Sequence, residues 1–128
     1  MEDIAIDELN SITEKIIKCA IEVHKNLGPG LLESIYEKAM CHELSSDRIN
    51  FSNQVVIPII YKGVTLGEHR IDLLVDNKVV VEFKAVDRMD PVFKAQLLSY
   101  LKMTDKKLGL LINFNVPVLK NGIQRVIL

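Results

Sequence analysis

The sequence predicts an α/β or α+β domain built around one mixed β-sheet. Two segments with apolar residues at helical spacing come first, and strand-like segments then alternate with one further helix-like segment, in the order α-α-β-β-β-α-β-β. Of the 128 residues, 48% are apolar, which is enough for one core without disulfide or metal staples. No repeat or linker divides the chain. We therefore expect a loosely ordered lead-in over residues 1–10 and a single domain over residues 11–128.

Two helices are predicted in the first third of the chain. Ser11 and Glu14 have the spacing of a capping box, which predicts a helix start. Gly28-Pro29-Gly30 ends this helix, and a second helix is expected over residues 31–45. Apolar residues follow helical spacing in the first helix at Ile12, Ile16, Cys19, Ala20, Val23 and Leu27, and in the second at Leu32, Ile35, Tyr36, Ala39, Met40 and Leu44.

The apolar period changes to two after Asn50. The first strand is expected over residues 55–61, and Pro58 favours a sheet edge or a bulge. The second is expected over residues 65–75, with Ile71, Leu73 and Val75 on one face and Arg70, Asp72 and Leu74 on the other. The third, over residues 78–86, is almost wholly apolar, as a central strand covered on both faces should be.

The last third of the chain predicts a helix between strands. Asp90 is a good N-cap and Pro91 a good first helical residue, so a third helix is expected to begin there. Residues 108–114 and 123–128 read as the fourth and fifth strands.

Charge and cysteine content exclude several classes of protein. The formal net charge is −1, so the uniform basic coat of a simple nucleic-acid binder is absent. Four of the negative charges come from the first ten residues, at Glu2, Asp3, Asp7 and Glu8. Two cysteines outside any CxxC pair predict free thiols in a reducing compartment. No apolar run approaches the ~20 residues of a membrane span, and no secretory leader is seen, so a cytoplasmic protein without a membrane partner is expected.

Two charged residues interrupt the strand predicted to be buried on both faces. Glu82 and Lys84 lie two apart and therefore point to the same face. Burying such groups costs several kcal/mol unless they are paired, hydrogen-bonded or bound to a metal. A partly wet Glu–Lys ion pair at a strand end is the simplest structural explanation.

Asp72 favours a different explanation. If the second and third strands form a hairpin centred on Asn77, Asp72 and Glu82 are neighbours on one face. Clustered carboxylates repel one another, and Mg²⁺ or Mn²⁺ is a fitting counterion for such oxygen ligands. This pairing needs an odd-length turn or a bulge, because a two-residue Asp76-Asn77 turn would put Glu82 on the other face.

Three further polar residues are candidates on weaker grounds. Glu33 lies in the first turn of the second helix, where an acid is also favoured by the helix dipole. Gln96 and Tyr100 lie one turn apart on the third helix, as either a polar seam or a functional pair. The histidines His24, His42 and His69 show no metal-ligand spacing and are interpreted as surface or structural residues.

Five motifs in order carry a resemblance that covers residues 12–128. They are Gly30-Leu31-Leu32-Glu33-Ser34-Ile35-Tyr36, Arg70-Ile71-Asp72-Leu73-Leu74-Val75, Val81-Glu82-Phe83-Lys84-Ala85, Gln96-Leu97-Leu98-Ser99-Tyr100-Leu101 and Leu110-Leu111-Ile112-Asn113-Phe114. Each is weak alone, but together they closely resemble the GxxExxY protein family, a branch of the PD-(D/E)XK nuclease-like superfamily. Ile71 stands where the superfamily's name-giving motif has proline.

The resemblance implies a restriction-endonuclease-like core, ordered αβββαβ, with a mixed central sheet flanked by helices. One extra N-terminal helix and one extra C-terminal strand complete the predicted order. The implied site has Asp72, Glu82 and Lys84 as catalytic residues, with Asp72, Glu82 and Glu33 holding the metal. Gln96 and Tyr100 match a QxxxY motif and would bind the substrate.

The activity implied is Mg²⁺- or Mn²⁺-dependent hydrolysis of phosphodiester bonds in a nucleic acid, with DNA as the expected substrate. Lys84 would orient the attacking water or stabilise the developing negative charge. Two alternatives remain at this point. One is a catalytically silent module for nucleic-acid binding or assembly; the other is a structural protein whose acids pair with Lys84 and Arg70. A homodimer would present two sites to one substrate.

Overall fold

A computed structural model describes residues 2–128, with side chains from residue 6 onward. The helices are α1 (Glu2–Leu27), α2 (Glu33–Ser46) and α3 (Pro91–Thr104), and a short 3₁₀ helix spans Leu119–Gly122. The strands are β1 (Phe51–Tyr61), β2 (Val64–Val75), β3 (Val79–Lys84), β4 (Leu108–Asn113) and β5 (Ile123–Ile127). This order confirms the predicted class, a mixed α/β domain consistent with a restriction-endonuclease-like fold.

All five strands form one sheet in the order β1-β2-β3-β4-β5. Only β3 and β4 are parallel, and α3 makes the crossover between them. The other neighbouring pairs are antiparallel, so the sheet is mixed, as predicted. β3 is central and buried along Val79–Phe83, which matches its apolar sequence.

Helices cover both faces of the sheet. α1 and α2 pack on one face, where Ile16, Met40, Leu73 and Phe83 belong to the larger apolar cluster. α3 packs on the other face, where Leu97 and Leu101 contact the smaller cluster with Val80 and Leu111. Because strand β3 contributes to both clusters, a charged side chain on it is enclosed by protein unless it lies near the strand's end.

The first helix begins earlier than the sequence indicated. It runs unbroken through Ser11 from Glu2, so the predicted capping box and the predicted helix start are wrong. Leu9 packs against the larger apolar cluster, and Glu8 pairs with Lys78 at 3.1 Å. The predicted boundary at residue 10 therefore falls inside a helix, and Met1 of the lead-in lies outside the described residues. Tertiary contacts of residues before Ser11 outweigh the local capping signal.

The β2–β3 turn has the odd length that the sequence argument required. Val75 pairs with Val79, leaving a three-residue connection, and Leu73 pairs with Val81. Asp76 and Asn77 both adopt left-handed backbone conformations, with φ of 53° and 54°. Asn and Asp tolerate that conformation better than most residues, so the turn chemistry fits the register.

Strand β1 is an edge strand, as Pro58 predicted, and its pairing with β2 shifts register between Ile59 and Ile60. Within the described chain, Cys19 and Cys41 are both free, as expected, with Cys19 buried. No helix in residues 2–128 has the length and apolarity needed to cross a membrane.

Strand β2 departs from simple alternation at Asp72. Leu73 and Val75 pack under α1 and α2, whereas Ile71 packs under α3, so the prediction that these residues share one face is wrong for Ile71. The irregularity lies opposite Gln54, which has a φ of +52° and interrupts the ladder with β1. A left-handed residue changes the local direction of its strand, although the flanking pairs Asn53–Leu73 and Val55–Ile71 keep one register. This change of face determines which side chains surround the candidate site.

Candidate active site

The candidate site lies where strands β2 and β3 separate. Their ladder stops at Leu73 and Val81, and beyond it two carboxylates replace backbone partners. The Asp72 N–H donates to Glu82 Oε2 at 2.9 Å, and the Phe83 N–H donates to Asp72 Oδ2 at 2.8 Å. Asp72 and Glu82 are therefore cross-strand neighbours, as the sequence argument proposed, and each also satisfies a main-chain donor.

Glu82 is the most enclosed acid of the site, with only 6% of its surface exposed. Burial first, and then the neighbouring Asp72 carboxylate, raise its pKa to about 8, although the Asp72 N–H and the Lys84 charge act in the opposite direction. A buried acid with a raised pKa and a second acid beside it is the charge arrangement that a cation relieves.

His69 is part of this cluster, contrary to its interpretation as a surface or structural residue. Its Nε2 lies 3.3 Å from Glu82 Oε1, and its ring stacks on Tyr100 with centroids 4.0 Å apart and planes 14° apart. Tyr100 Oη lies 3.3 Å from His69 Nδ1. Burial raises the pKa of Tyr100, and the charges of Glu82 and Asp72 raise it further, which places the α3 tyrosine within reach of both acids.

Lys84 lies at the exposed end of β3, two residues after Glu82. Its Nζ sits 4.5 Å from the centre of the Phe93 ring on α3, a cation–π contact. The ammonium is close enough to oppose the pKa increase of both Glu82 and Glu33. It forms no ion pair with either acid among residues 2–128, so the simple Glu–Lys pair does not describe this arrangement.

Glu33 is brought to the same cluster by the start of α2. Burial raises its pKa, the nearby Lys84 lowers it and Asp72 raises it, so its carboxylate lies close enough to respond to the charges of Lys84 and Asp72. The side chain is exposed to solvent, unlike Glu82. This accessibility leaves one side of the cluster open to a ligand.

The aromatic residue that ends the G-x-x-E-x-x-Y motif holds this helix start in place. Tyr36 is fully buried and stacks on Phe114 with centroids 4.5 Å apart. Its hydroxyl donates to the Gly28 carbonyl at 2.6 Å and accepts from the Leu31 N–H at 3.1 Å. The tyrosine thus fixes the turn that precedes Glu33, and its own role is structural.

Glu37 and Gln54 extend the cluster and had no place in the sequence-based site. Gln54 Nε2 donates to Glu37 Oε1 at 2.7 Å and lies 3.4 Å from Asp72 Oδ1. Burial and the Asp72 charge raise the pKa of Glu37. Spacing offers a signal for Glu37, because it lies one turn after Glu33 on α2. No pattern points to Gln54, because its position follows from a left-handed backbone.

Gln96 is placed differently from its motif partner. It is exposed on α3, one turn before Tyr100, and its side chain makes no hydrogen bond among residues 6–128. The structure therefore brings Glu33, Asp72, Glu82, Lys84 and Tyr100 together and leaves Gln96 at the rim.

A divalent cation fits the chemistry of this donor set. Asp72, Glu82 and Glu33 offer carboxylate oxygens, which Mg²⁺ and Mn²⁺ prefer, and the Asp72–Glu82 pair already includes a carboxyl whose pKa is raised. Each bonded carboxylate oxygen keeps a further lone pair. In the part of the chain described from residue 6, no group of three or more acidic, His or Cys side chains lies close enough together to hold a metal ion. A cation at the Asp72–Glu82 pair would therefore take most of its ligands from water or substrate oxygens.

The hypothesis that these acids serve only as structural ion-pair partners is not favoured. It assigns Lys84 and Arg70 as their ion-pair partners, whereas Arg70 lies 3.9 Å from Glu68 and Lys84 lies over Phe93. It also requires a site closed to solvent, and Glu33 is exposed.

Comparisons with known proteins agree with this fold. A family model described as the PD-(D/E)XK nuclease superfamily matches residues 10–126. Among curated proteins, none matches the chain. A solved structure described as "Crystal structure of SSO0001" is 21% identical to this chain over 72% of its length, with a TM-score of 0.50, and this similarity concerns the fold alone. The chain spans 46% of the length of that structure's chain.

Proposed function

The chain belongs to the PD-(D/E)XK nuclease superfamily, and on that premise we propose that it is a divalent-metal-dependent nuclease of the GxxExxY type that hydrolyses DNA. The observation that carries the proposal is the position of Asp72 and Glu82 where β2 and β3 separate. Each carboxylate accepts a main-chain N–H from the opposite strand, and the pKa of Glu82 is raised to about 8. Acids with perturbed pKa values beside a lysine at an open sheet end are typical of a catalytic centre.

In this proposal Asp72 and Glu82 hold Mg²⁺ or Mn²⁺, and Glu33 completes the ligand set from α2. The chemistry that a bound cation would supply is neutralisation of phosphate charge and acidification of the attacking water. Burial and the Asp72 charge raise the pKa of Glu82, and a bound cation would favour its ionised form.

Lys84 and Tyr100 flank the acids from the β3 end and from α3. The Lys84 ammonium, held over Phe93, is free of a carboxylate partner within ion-pair distance among the described residues and can stabilise negative charge on a phosphoryl oxygen. The Tyr100 side chain, whose hydroxyl lies 3.3 Å from His69 Nδ1, would border the substrate on the α3 side of Glu82. Gln96, exposed one turn earlier on α3, would contact the nucleic acid at the rim.

The test compares cleavage of duplex DNA, single-stranded DNA and RNA with Mg²⁺, Mn²⁺ or a chelator. Asp72→Asn, Glu82→Gln and Lys84→Met should each reduce the cleavage rate by at least about 100-fold. The amide variants keep an oxygen that accepts the Asp72 or Phe83 N–H, so they remove charge without leaving a main-chain donor unpaired. Glu14→Gln and Lys120→Met, on exposed residues of α1 and the 3₁₀ helix, are the matched controls.

Two results would reject the proposal. One is cleavage that persists in all three site variants, and the other is the absence of cleavage together with no Mn²⁺ binding at millimolar concentration. Mn²⁺ binding to the wild-type chain without cleavage of any substrate would favour the silent module for nucleic-acid binding or assembly. Light scattering of the same samples tests the proposed homodimer.

A further inference from the structure

The His69 imidazole contacts two site residues at once. It reaches the site because strand β2 changes face at Asp72, which turns His69 and Ile71 toward α3. Its side chain is 35% exposed. One edge of the ring lies 3.3 Å from Glu82 Oε1, while the ring's face lies on Tyr100.

The two oxygens of Glu82 have different partners. Oε2 accepts the main-chain N–H of Asp72, a donor fixed by the strand. Oε1 has the His69 Nε2 as its neighbour. A carboxylate held at both oxygens has one orientation about its last bond, whereas a carboxylate held at one oxygen can turn.

The His69 ring is itself held in place by its environment. Stacking on Tyr100 fixes the plane of the ring, and Tyr100 Oη lies near Nδ1. Burial lowers the pKa of His69, with the opposing charge of Asp72 and the like charge of Lys84 as smaller influences. When Glu82 is ionised, as a bound cation would favour, its Oε1 can accept from the Nε2–H of His69, and Nδ1 can accept from the Tyr100 hydroxyl.

We propose that His69 is a positioning residue that orients Glu82 for the divalent cation. Tyr100 on α3 holds the His69 ring by stacking, and the ring in turn holds the Glu82 carboxylate. The inference rests on the proposed function, because the orientation of Glu82 matters only if the carboxylate holds a metal. Partners that orient a ligand in this way contribute roughly 10- to 100-fold to metal affinity.

Two substitutions separate positioning from simple space filling. His69→Phe keeps a ring that can stack on Tyr100 but has no donor for Glu82. His69→Gln has a carboxamide N–H at a reach similar to Nε2 and loses the ring. If the ring acts only by packing, Phe is the better replacement; if it acts through the Glu82 contact, Gln is.

The experiment is calorimetric titration of the full chain with Mn²⁺ at mildly alkaline pH. His69→Phe should bind Mn²⁺ about 10- to 100-fold more weakly than wild type, and His69→Gln should remain within about threefold of wild type. His42→Phe, at an exposed position on α2, is the matched control and should leave the affinity unchanged. Urea unfolding of each variant confirms that the titrated protein is folded.

The experiment distinguishes failure of the proposed role of His69 from failure of the proposed nuclease function. Wild-type affinity in folded His69→Phe, or weaker binding by His69→Gln than by His69→Phe, overturns the role of His69 alone. Loss of all Mn²⁺ binding in the wild-type chain overturns the proposed function, and this inference with it. Weak binding by Phe and restored binding by Gln support the inference.

Discussion

At the scale of the residue, the acids of the site have a structural cost as well as a chemical use. Glu82 lies almost fully buried beside Asp72, and its pKa is raised to about 8. The unfolded chain exposes the same carboxyl to water, where its pKa returns to the ordinary value of 4.5. Between these two values the folded protein holds a proton on Glu82 that the unfolded chain has released.

This difference predicts that Glu82 makes the protein less stable as pH rises. The stabilising proton is present below the unfolded-state pKa, and the contribution is lost progressively as pH increases from 4.5 through about 8. The shift corresponds to a loss of up to about 5 kcal/mol. Glu82→Gln cannot ionise, so its free energy of unfolding should change less over this pH range and should exceed that of wild type at pH 8.

Urea unfolding in the absence of metal, followed from acid to mildly alkaline pH, measures this effect. Glu14→Gln, on the exposed face of α1, is the control for removal of an acid that is not buried. Parallel pH profiles for wild type and Glu82→Gln would contradict the prediction.

At the scale of the element, the β2–β3 turn sets the register that places the two acids together. Its three-residue length joins Val75 to Val79 and carries Asp76 and Asn77 in left-handed conformations. A β-branched residue is strained in that conformation, at a cost of about 1–2 kcal/mol, whereas glycine is not. The choice of residue at Asn77 therefore affects both stability and register.

We expect Asn77→Val to lower the free energy of unfolding by about 1–2 kcal/mol and Asn77→Gly to leave it within about 0.5 kcal/mol of wild type. Asn77 is exposed, so neither change alters core packing. Urea unfolding measures the difference, and equal stability of the two variants would show that the turn does not require the left-handed conformation.

Regular patterns in the sequence account for most elements and for the acid pair. Helical spacing, the Asp90 cap of α3 and the apolar run of β3 all correspond to observed elements, and the Asp90 side chain accepts the Val92 N–H at 2.9 Å. The odd turn between Asp72 and Glu82 followed from counting residues.

The features that the sequence did not reveal arise from irregular backbone and tertiary contacts. Period-two alternation predicts that His69 and Asp72 point to opposite faces. At the left-handed Gln54 the β1–β2 ladder is interrupted, and opposite it β2 no longer alternates regularly. His69 therefore lies against Glu82 on the α3 side of the sheet. The capping box at Ser11 predicts a later start for α1 because local capping chemistry does not show that Leu9 packs against the core.

At the scale of the whole molecule, the net charge bears on the nucleic-acid substrate proposed above. The net charge of −1 gives no general attraction to phosphate, and the acids around Asp72 repel it locally. A bound divalent cation reverses the sign of that local field. Binding of DNA is therefore expected to depend on the metal more than it does for a protein with a basic surface.

Fluorescence anisotropy with a labelled DNA duplex tests this expectation by comparing a chelator with Ca²⁺, a divalent cation that also takes oxygen ligands. Affinity should rise at least about tenfold from chelator to Ca²⁺ and fall steeply between about 50 and about 200 mM salt. Asp72→Asn should remove the effect of Ca²⁺, and Glu14→Gln should not. Tight binding in chelator would show that surfaces other than the acidic cluster supply the affinity.

The hydrogen bonds at the separation of β2 and β3 have one further consequence, for how such a protein can change over evolutionary time. Asp72 and Glu82 take the place of the next rungs of the ladder, because each accepts a main-chain N–H of the opposite strand. A descendant that no longer cleaved anything would still be selected to keep oxygen acceptors at both positions. Under the proposed function, a transition from enzyme to inert scaffold can leave these positions almost unchanged. The first trace of lost activity would appear at Lys84, whose side chain makes no main-chain hydrogen bond among residues 6–128 and lies over Phe93.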